Sequence, residues 1–133
     1  MSSVASYIKN TADKVFSQYI RLKDADSNGY CRCISCGVLK PYSEMDAGHF
    51  VGRGKKNTRF DTRNVHPQCR KCNRFMEGNK SSYAYQLMCE YGMGVIEELV
   101  WAGNTQKQWK LDELKAKVKE WRAEIEKLST VKG

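Results

Sequence analysis

Four of the six cysteines stand in two C-x-x-C pairs, Cys33/Cys36 and Cys69/Cys72, with the 32 residues 37–68 between them. Each pair can bite one ion from one side, and two such pairs close a tetrahedral four-thiolate site of the kind that holds structural Zn²⁺. Such ligands are scattered in an unfolded chain, so the metal's binding energy becomes folding energy. Cys31 is a neighbouring thiol, but its separation from Cys36 is wider than the spacing that gives two sulfurs a common reach, which makes Cys33 the expected ligand. Cys89 lies beside Leu87 and Met88 and reads as a small buried hydrophobe. A Cys–His nucleophile is a competing chemistry, because both histidines lie between the cysteine pairs. The paired spacing argues against it, since a metal-bound thiolate is a blunted nucleophile.

The segment between the pairs holds "DAGHF" (residues 46–50) and "RNVHPQ" (residues 63–68), and Asn73 follows the second pair directly. Phosphodiester hydrolysis needs a base to activate water, a cation to stabilise the phosphorane-like charge, and a positive surface to hold the backbone. The same segment can supply all three. The chain carries 23 Lys and Arg against 15 Asp and Glu, a formal charge of +8. Arg53, Lys55, Lys56, Arg59, Arg63, Arg70, Lys71 and Arg74 crowd around these motifs with Asp61 as the one acid among them. That clustering favours a polyanionic partner, and DNA contact is the reading it supports. Arg59 and Arg63 are candidate phosphate clamps.

The elements that must position these groups follow from periodicity. Val4, Ile8, Val15, Tyr19 and Leu22 predict an amphipathic helix over 3–22, and the turn-forming run 24–29 separates it from the cysteine segment 30–79. Ser81 or Ser82 is positioned to cap a helix running to Tyr91, with Gly92 ending it in a left-handed conformation. A short helix is expected at 95–101. Leu111, Leu114, Val118, Trp121, Ile125 and Leu128 alternate at intervals of three and four, so the final helix must pack against another helix, either the N-terminal one or that of a second subunit. A chain of 133 residues fits a single domain spanning 1–133. No stretch approaches the roughly 20 apolar residues of a membrane span, and no signal-peptide order is evident, so a cytoplasmic location is expected, where cysteines more often hold metal than form disulfides.

The strings "CISCG", "DAGHF", "TRFDTRNVHPQCRKCN" and "EGN", in that order, resemble the phage lambda NinG family of recombination endonucleases. The order C-x-x-C, His, Asn, C-x-x-C, Asn also looks like the His-Asn-His nucleases, and the closing "CRKCN" is similar to the endonuclease VII-like resolvases. The resemblance implies an α+β fold in which a zinc-stapled ββα-metal core is flanked by an N-terminal helix and C-terminal helices. It implies that His49 is the general base, that Asn64 holds the loop or the base in orientation, and that Asn73 binds a catalytic Mg²⁺, which Mn²⁺ can replace. Asp46 is the candidate second ligand, reached if the strand bends at Gly48. His66 contacts the phosphate or metal, or packs near the zinc. The activity implied is structure-specific cleavage of branched DNA, such as Holliday junctions and D-loops, by a phage-encoded protein in the cytoplasm of its bacterial host. A homodimer and contacts with host or phage recombination proteins are implied partners. Two other classes fit the charge and the cysteines: a zinc-dependent nucleic-acid-binding module without catalysis, and a recombination scaffold acting through the final helix.

Overall fold

The computed structural model describes residues 3–132 and has an α+β architecture; residues 1, 2 and 133 of the expected 1–133 domain lie outside the described residues. The N-terminal helix is one continuous rod in three parts: α1 (Ser3–Tyr7), a wide π turn (Ile8–Ala12) and α2 (Asp13–Lys23). Ile8, Ala12, Phe16 and Ile20 recur every four residues and form its buried stripe, with Val15 and Tyr19 only partly covered. They pack against Leu114, Val118 and Trp121 of α5 (Leu111–Val131). The partner of the final helix is thus the N-terminal helix of the same chain. Phe16 is the hub, its ring 5.3 Å from Phe60 and 4.8 Å from Trp121.

After α2, Asp26 accepts hydrogen bonds from the N–H groups of Asn28 (2.9 Å) and Tyr30 (3.0 Å), closing the expected turn. A short antiparallel pair follows, β1 (Tyr30–Arg32) with β2 (Leu39–Pro41), and carries the first C-x-x-C in its connection. Gly37, at φ +80°, donates its N–H to the Cys33 carbonyl (2.9 Å), a turn that favours glycine. A second antiparallel pair joins β3 (Met45–His49) to β4 (Val65–Cys69) in unbroken register from Met45↔Cys69 to His49↔Val65. It leads into a wide helical turn at Lys71–Phe75. Two helices then cover the outer face, α3 (Lys80–Tyr91) and α4 (Val95–Gly103), packed through Tyr83, Leu87, Val95 and Leu99 with Phe50 and Val51 beside them.

Several expectations are corrected here. Neither Ser81 nor Ser82 caps α3, which begins a residue earlier from Asn79 in the left-handed region (φ +41°). Gly92 ends that helix at φ +99° and ψ 166°, a region open to glycine but not the left-handed helical one. Cys89 is exposed rather than buried. It lies two residues beyond Leu87, and on a helix that spacing turns a side chain away from the buried face. The strand does not bend at Gly48. A Cβ there would sit 2.0 Å from Gln68 Oε1 and 2.9 Å from Gln68 Cβ. Glycine is required because the side chain of Gln68, fully buried, crosses this point and donates to Ser35 Oγ (2.9 Å) and the Gly78 carbonyl (2.6 Å).

Gly48→Ala should therefore cost roughly 2–3 kcal/mol, at the upper end of overpacking penalties. A denaturant titration would read this as a lower midpoint, and an unchanged midpoint would show that Gln68 moves aside freely.

Candidate functional site

Cys33, Cys36, Cys69 and Cys72 come together with their sulfurs all within 4.8 Å of one another. The Cys36–Cys69 sulfur separation is 3.7 Å, close to the about 3.8 Å edge of a tetrahedron with zinc–sulfur bonds of about 2.3 Å. The backbone N–H of Cys36 donates to Cys33 Sγ and that of Cys72 to Cys69 Sγ, both at 3.4 Å, and Asn79 Nδ2 donates to Cys72 Sγ at 3.4 Å. Burial raises the Cys33 thiol, but the backbone donors of Cys36, Cys69 and Ser35 outweigh it and bring it down to about 7. The cluster can hold zinc. Cys31 is buried outside it, and desolvation pushes its thiol up to about 11, which suits a neutral core side chain.

Immediately beyond the cluster, β3, the helical turn and α2 enclose a cleft of about 660 Å³ whose lining includes Asp13, Arg21, Asp46, His49, Arg53, Arg70, Asn73 and Arg74. Asp46 takes three donors: Asn73 Nδ2 at 3.0 Å and the Arg74 guanidinium through two bonds of 2.9 and 2.8 Å. Arg70 Nε lies 4.0 Å away. Burial opposes the Asp46 charge, but these donors outweigh it and hold the carboxyl below its ordinary range. His49 Nε2 is 2.9 Å from the Arg59 carbonyl. A carbonyl only accepts, so Nε2 carries the proton and Nδ1 keeps the lone pair. Desolvation pushes the imidazole down to about 4 despite that hydrogen bond, so His49 is neutral at physiological pH.

Behind the cleft a buried polar network fixes the hairpin. Asn64, with no exposure, closes the loop that joins the strands: its Nδ2 donates to the carbonyls of Val51 (2.9 Å) and Thr58 (3.1 Å), and its Oδ1 accepts from the Val51 N–H (2.7 Å). It is not among the residues lining the cleft, and its bonds fix the loop. Tyr83 donates to the Gly48 carbonyl (2.6 Å), and Lys80 donates to the carbonyls of His49 (2.8 Å) and Phe50. Sequence reasoning missed Tyr83 and Lys80, together with Asp13 and Arg21. Helical periodicity describes α2 and α3 but does not reveal which of their polar positions meet the hairpin.

His66 is corrected. In the register, Gly48 pairs with His66 and His49 with Val65, so the two histidines face opposite sides of the hairpin. His66, 3% exposed, lies between Tyr83 Oη (3.2 Å from Nδ1) and Tyr91 Oη (3.0 Å from Nε2). It packs behind the sheet, is not among the residues lining the cleft, and shares a second pocket with Cys33 and Cys36. The two expected arginine clamps both form ion pairs within the chain and do not line the part of the cleft beside Asp46. Arg59 is locked on Asp13 by bonds of 2.9 and 2.5 Å, and Arg63 pairs with Glu98 at 2.9 Å. Lys55 donates to Asn104 (3.2 Å); Lys56 and Lys71 are exposed. Of the basic set, Arg53, Arg70 and Arg74 border the cleft, each more than half exposed at its side chain.

The family model described as "Bacteriophage Lambda NinG protein" matches residues 2–130. The chain belongs to the NinG family. It is 31% identical to Protein ninG of Escherichia phage lambda over 124 residues, 92% of this chain and 58% of that protein. It is 32% identical to Protein ninG of Salmonella phage P22 over 124 residues, with the same coverage, and to that of Escherichia phage 933W over 112 residues, 84% of this chain and 53% of the relative. This NinG-family chain thus spans a little over half the length of the curated relatives it matches. No solved structure matches it. Among the described residues no helix is long and apolar enough to cross a membrane.

Two outcomes follow from this geometry. Purified Cys31→Ser should retain one zinc per chain and Cys69→Ser should lose it, read with a colorimetric indicator after thiol modification; the opposite pattern would reassign the ligands. Both imidazoles, pushed down to about 4 by burial, should keep neutral Cε1–H shifts by NMR from pH 8 to 5.5. The unfolded chain takes up protons near pH 6.5 that the folded chain refuses, so stability is highest above about 6.5 and falls as pH drops toward 4. A folded-state midpoint near 6.5 would contradict this.

Proposed function

We propose that this chain is a divalent-metal-dependent DNA endonuclease of the His-Asn-His type that nicks branched DNA. One observation carries the reading: an antiparallel hairpin and the helical turn directly after it bring Asp46, His49 and Asn73 into one arginine-walled cleft. A carboxylate, a neutral imidazole and an amide in such a place match the needs of phosphodiester hydrolysis. The NinG resemblance alone supports branched DNA as substrate.

His49 Nδ1 takes the proton of the attacking water while Nε2 stays bonded to the Arg59 carbonyl. Burial keeps the ring unprotonated and ready to act. Arg53, Arg70 and Arg74 hold the backbone phosphates. Asp46 and Asn73 would hold Mg²⁺ or Mn²⁺. The donor set fits: Asp46 is held ionised, and Asn73, with Nδ2 engaged by Asp46, keeps Oδ1 as its acceptor. So few protein oxygens suit a hard cation that retains several waters. When bound, the ion supplies charge stabilisation at the scissile phosphate and the leaving 3′-oxygen. An entering phosphate offers Arg70 and Arg74 a second partner and so relieves the crowding of donors on Asp46. Two incisions at a symmetric junction call for two sites, hence a pair of chains.

Cleavage of a labelled four-way junction beside linear duplex tests this. Nicks that require Mg²⁺ or Mn²⁺ and fall by a factor of about 10² to 10⁴ in His49→Ala are the expected result. DNA binding without nicks in either ion would replace the nuclease with a zinc-dependent binding module.

A further inference from the structure

We infer that Phe75 is a base-stacking wedge that reads unpaired nucleotides at a DNA branch point beside the cleft. The inference rests on the nucleic-acid reading above and deepens it by naming the residue that recognises the branch.

Phe75 is 81% exposed, and the next residue, Met76, is 46% exposed. Both follow the stretch that lines the cleft. Asn73 and Arg74 face Asp46, and the Phe75 backbone, two residues past Asn73, lies within about 7 Å of it. A phosphate held by Arg70 and Arg74 would therefore place its neighbouring bases within reach of the Phe75 ring. Arg70, Lys71 and Arg74, all exposed, lie within five residues of Phe75 and make this stretch of surface basic, which matches it to a polyanion. The occupant that combines a flat apolar face with negative charge one bond set away is a nucleotide, and duplex bases are already stacked on each other. Unpaired or weakly stacked bases at a branch point are the ones free to stack on an aromatic side chain.

The platform beneath Phe75 is rigid. Cys72, a member of the sulfur cluster, lies within the same turn, and its carbonyl accepts the Gly78 N–H (2.9 Å). Glu77, Gly78 and Asn79 follow with φ values of +50°, +87° and +41°. Three successive residues in this region reverse the chain sharply, and strained backbone persists only where its surroundings over-determine it. Here Gln68 Nε2 binds the Gly78 carbonyl (2.6 Å), Ser35 Oγ donates to the Asn79 carbonyl (3.3 Å) and Asn79 Nδ2 binds Cys72 Sγ (3.4 Å). The turn thus holds an aromatic ring out in solvent on a fixed base, as a wedge requires.

The test compares binding of a four-way junction and of linear duplex of the same sequences, in a His49→Ala background so that no strand is cut. Phe75→Ala should weaken junction binding at least tenfold, leave duplex binding within about twofold, and keep the same salt dependence, because the phosphate contacts remain. Phe75→Trp should restore the preference, and the added emission of that tryptophan should be quenched by the junction and not by the duplex. Melting temperature controls for folding, which an exposed side chain should not alter. A junction preference that survives Phe75→Ala, or a parent that binds both DNAs equally, overturns the wedge and leaves the nuclease reading to its own assay. A protein with His49 intact that binds but never nicks in Mg²⁺ or Mn²⁺, with the preference lost in Phe75→Ala, keeps the wedge and removes the nuclease. A parent that binds neither DNA overturns both.

Discussion

Cys69 closes β4 and Cys72 lies in the turn that follows, so an ion shared with Cys33 and Cys36 would fix the angle at which strand gives way to turn. Asn73 comes one residue later, and its position relative to Asp46 depends on that angle. The other half of the cluster hangs from the β1/β2 connection, which is itself tied to β4 where the Ile34 N–H meets the Pro67 carbonyl (2.9 Å). Two pairs of strands, each too small to bury an apolar core of its own, are thus joined at one point by sulfur. Metal loss would release the hairpin, the turn and the cleft together.

The hairpin's interior is polar where a small sheet would ordinarily bury aliphatic side chains. Thr58, Asn64, His66 and Gln68 are all buried, and Thr58, Asn64 and Gln68 are completely so. Each buried polar group costs free energy unless it is bonded. The compensation is visible in the bonds from Asn64 to the loop, from His66 to two tyrosines and from Gln68 to two segments. One atom, Gln68 Oε1, lacks a partner among the described residues. Directional bonds of this kind specify a unique arrangement more sharply than aliphatic packing does. A cleft in which a few side chains must meet within a fraction of an ångström benefits from that rigidity.

Much of this was legible in the sequence because the chemistry is local. The C-x-x-C spacing identified the four cluster residues and separated Cys33 from Cys31, and helical periods with capping residues located the N-terminal helix and the three C-terminal ones to within a few residues. "DAGHF" and "CRKCN" pointed to Asp46, His49 and Asn73, which the fold does bring together. What stayed hidden depends on strand register and on long-range pairing. One residue of register decides whether His66 shares the face of His49, and no local pattern reports it. Arg59 and Arg63 are indistinguishable in sequence from Arg53 and Arg74. Only the fold shows that Arg59 is held by Asp13 and Arg63 by Glu98 away from the cleft, whereas Arg53 and Arg74, which also meet carboxylates, do so at its wall. Gly48 looked like a hinge, whereas its lack of a side chain makes room for Gln68.

The helical layer contributes to the cleft as well as to stability. Asp13 sits at the start of α2, three residues before Phe16, whose ring is the centre of the apolar core. Its carboxylate grips the Arg59 guanidinium, and the carbonyl of that same Arg59 fixes the proton of His49 on Nε2. The tautomer of the imidazole is therefore set by a chain of contacts that begins in the helix–helix core. The arrangement also explains how His49 stays neutral without a carboxylate behind it. Desolvation holds the proton affinity low and outweighs the Arg59 carbonyl and the Asp13 charge, which both favour the protonated ring. Packing of the N-terminal helix and the geometry of the cleft are for this reason one structural problem: a change that shifts α2 by an ångström moves His49 along with the core.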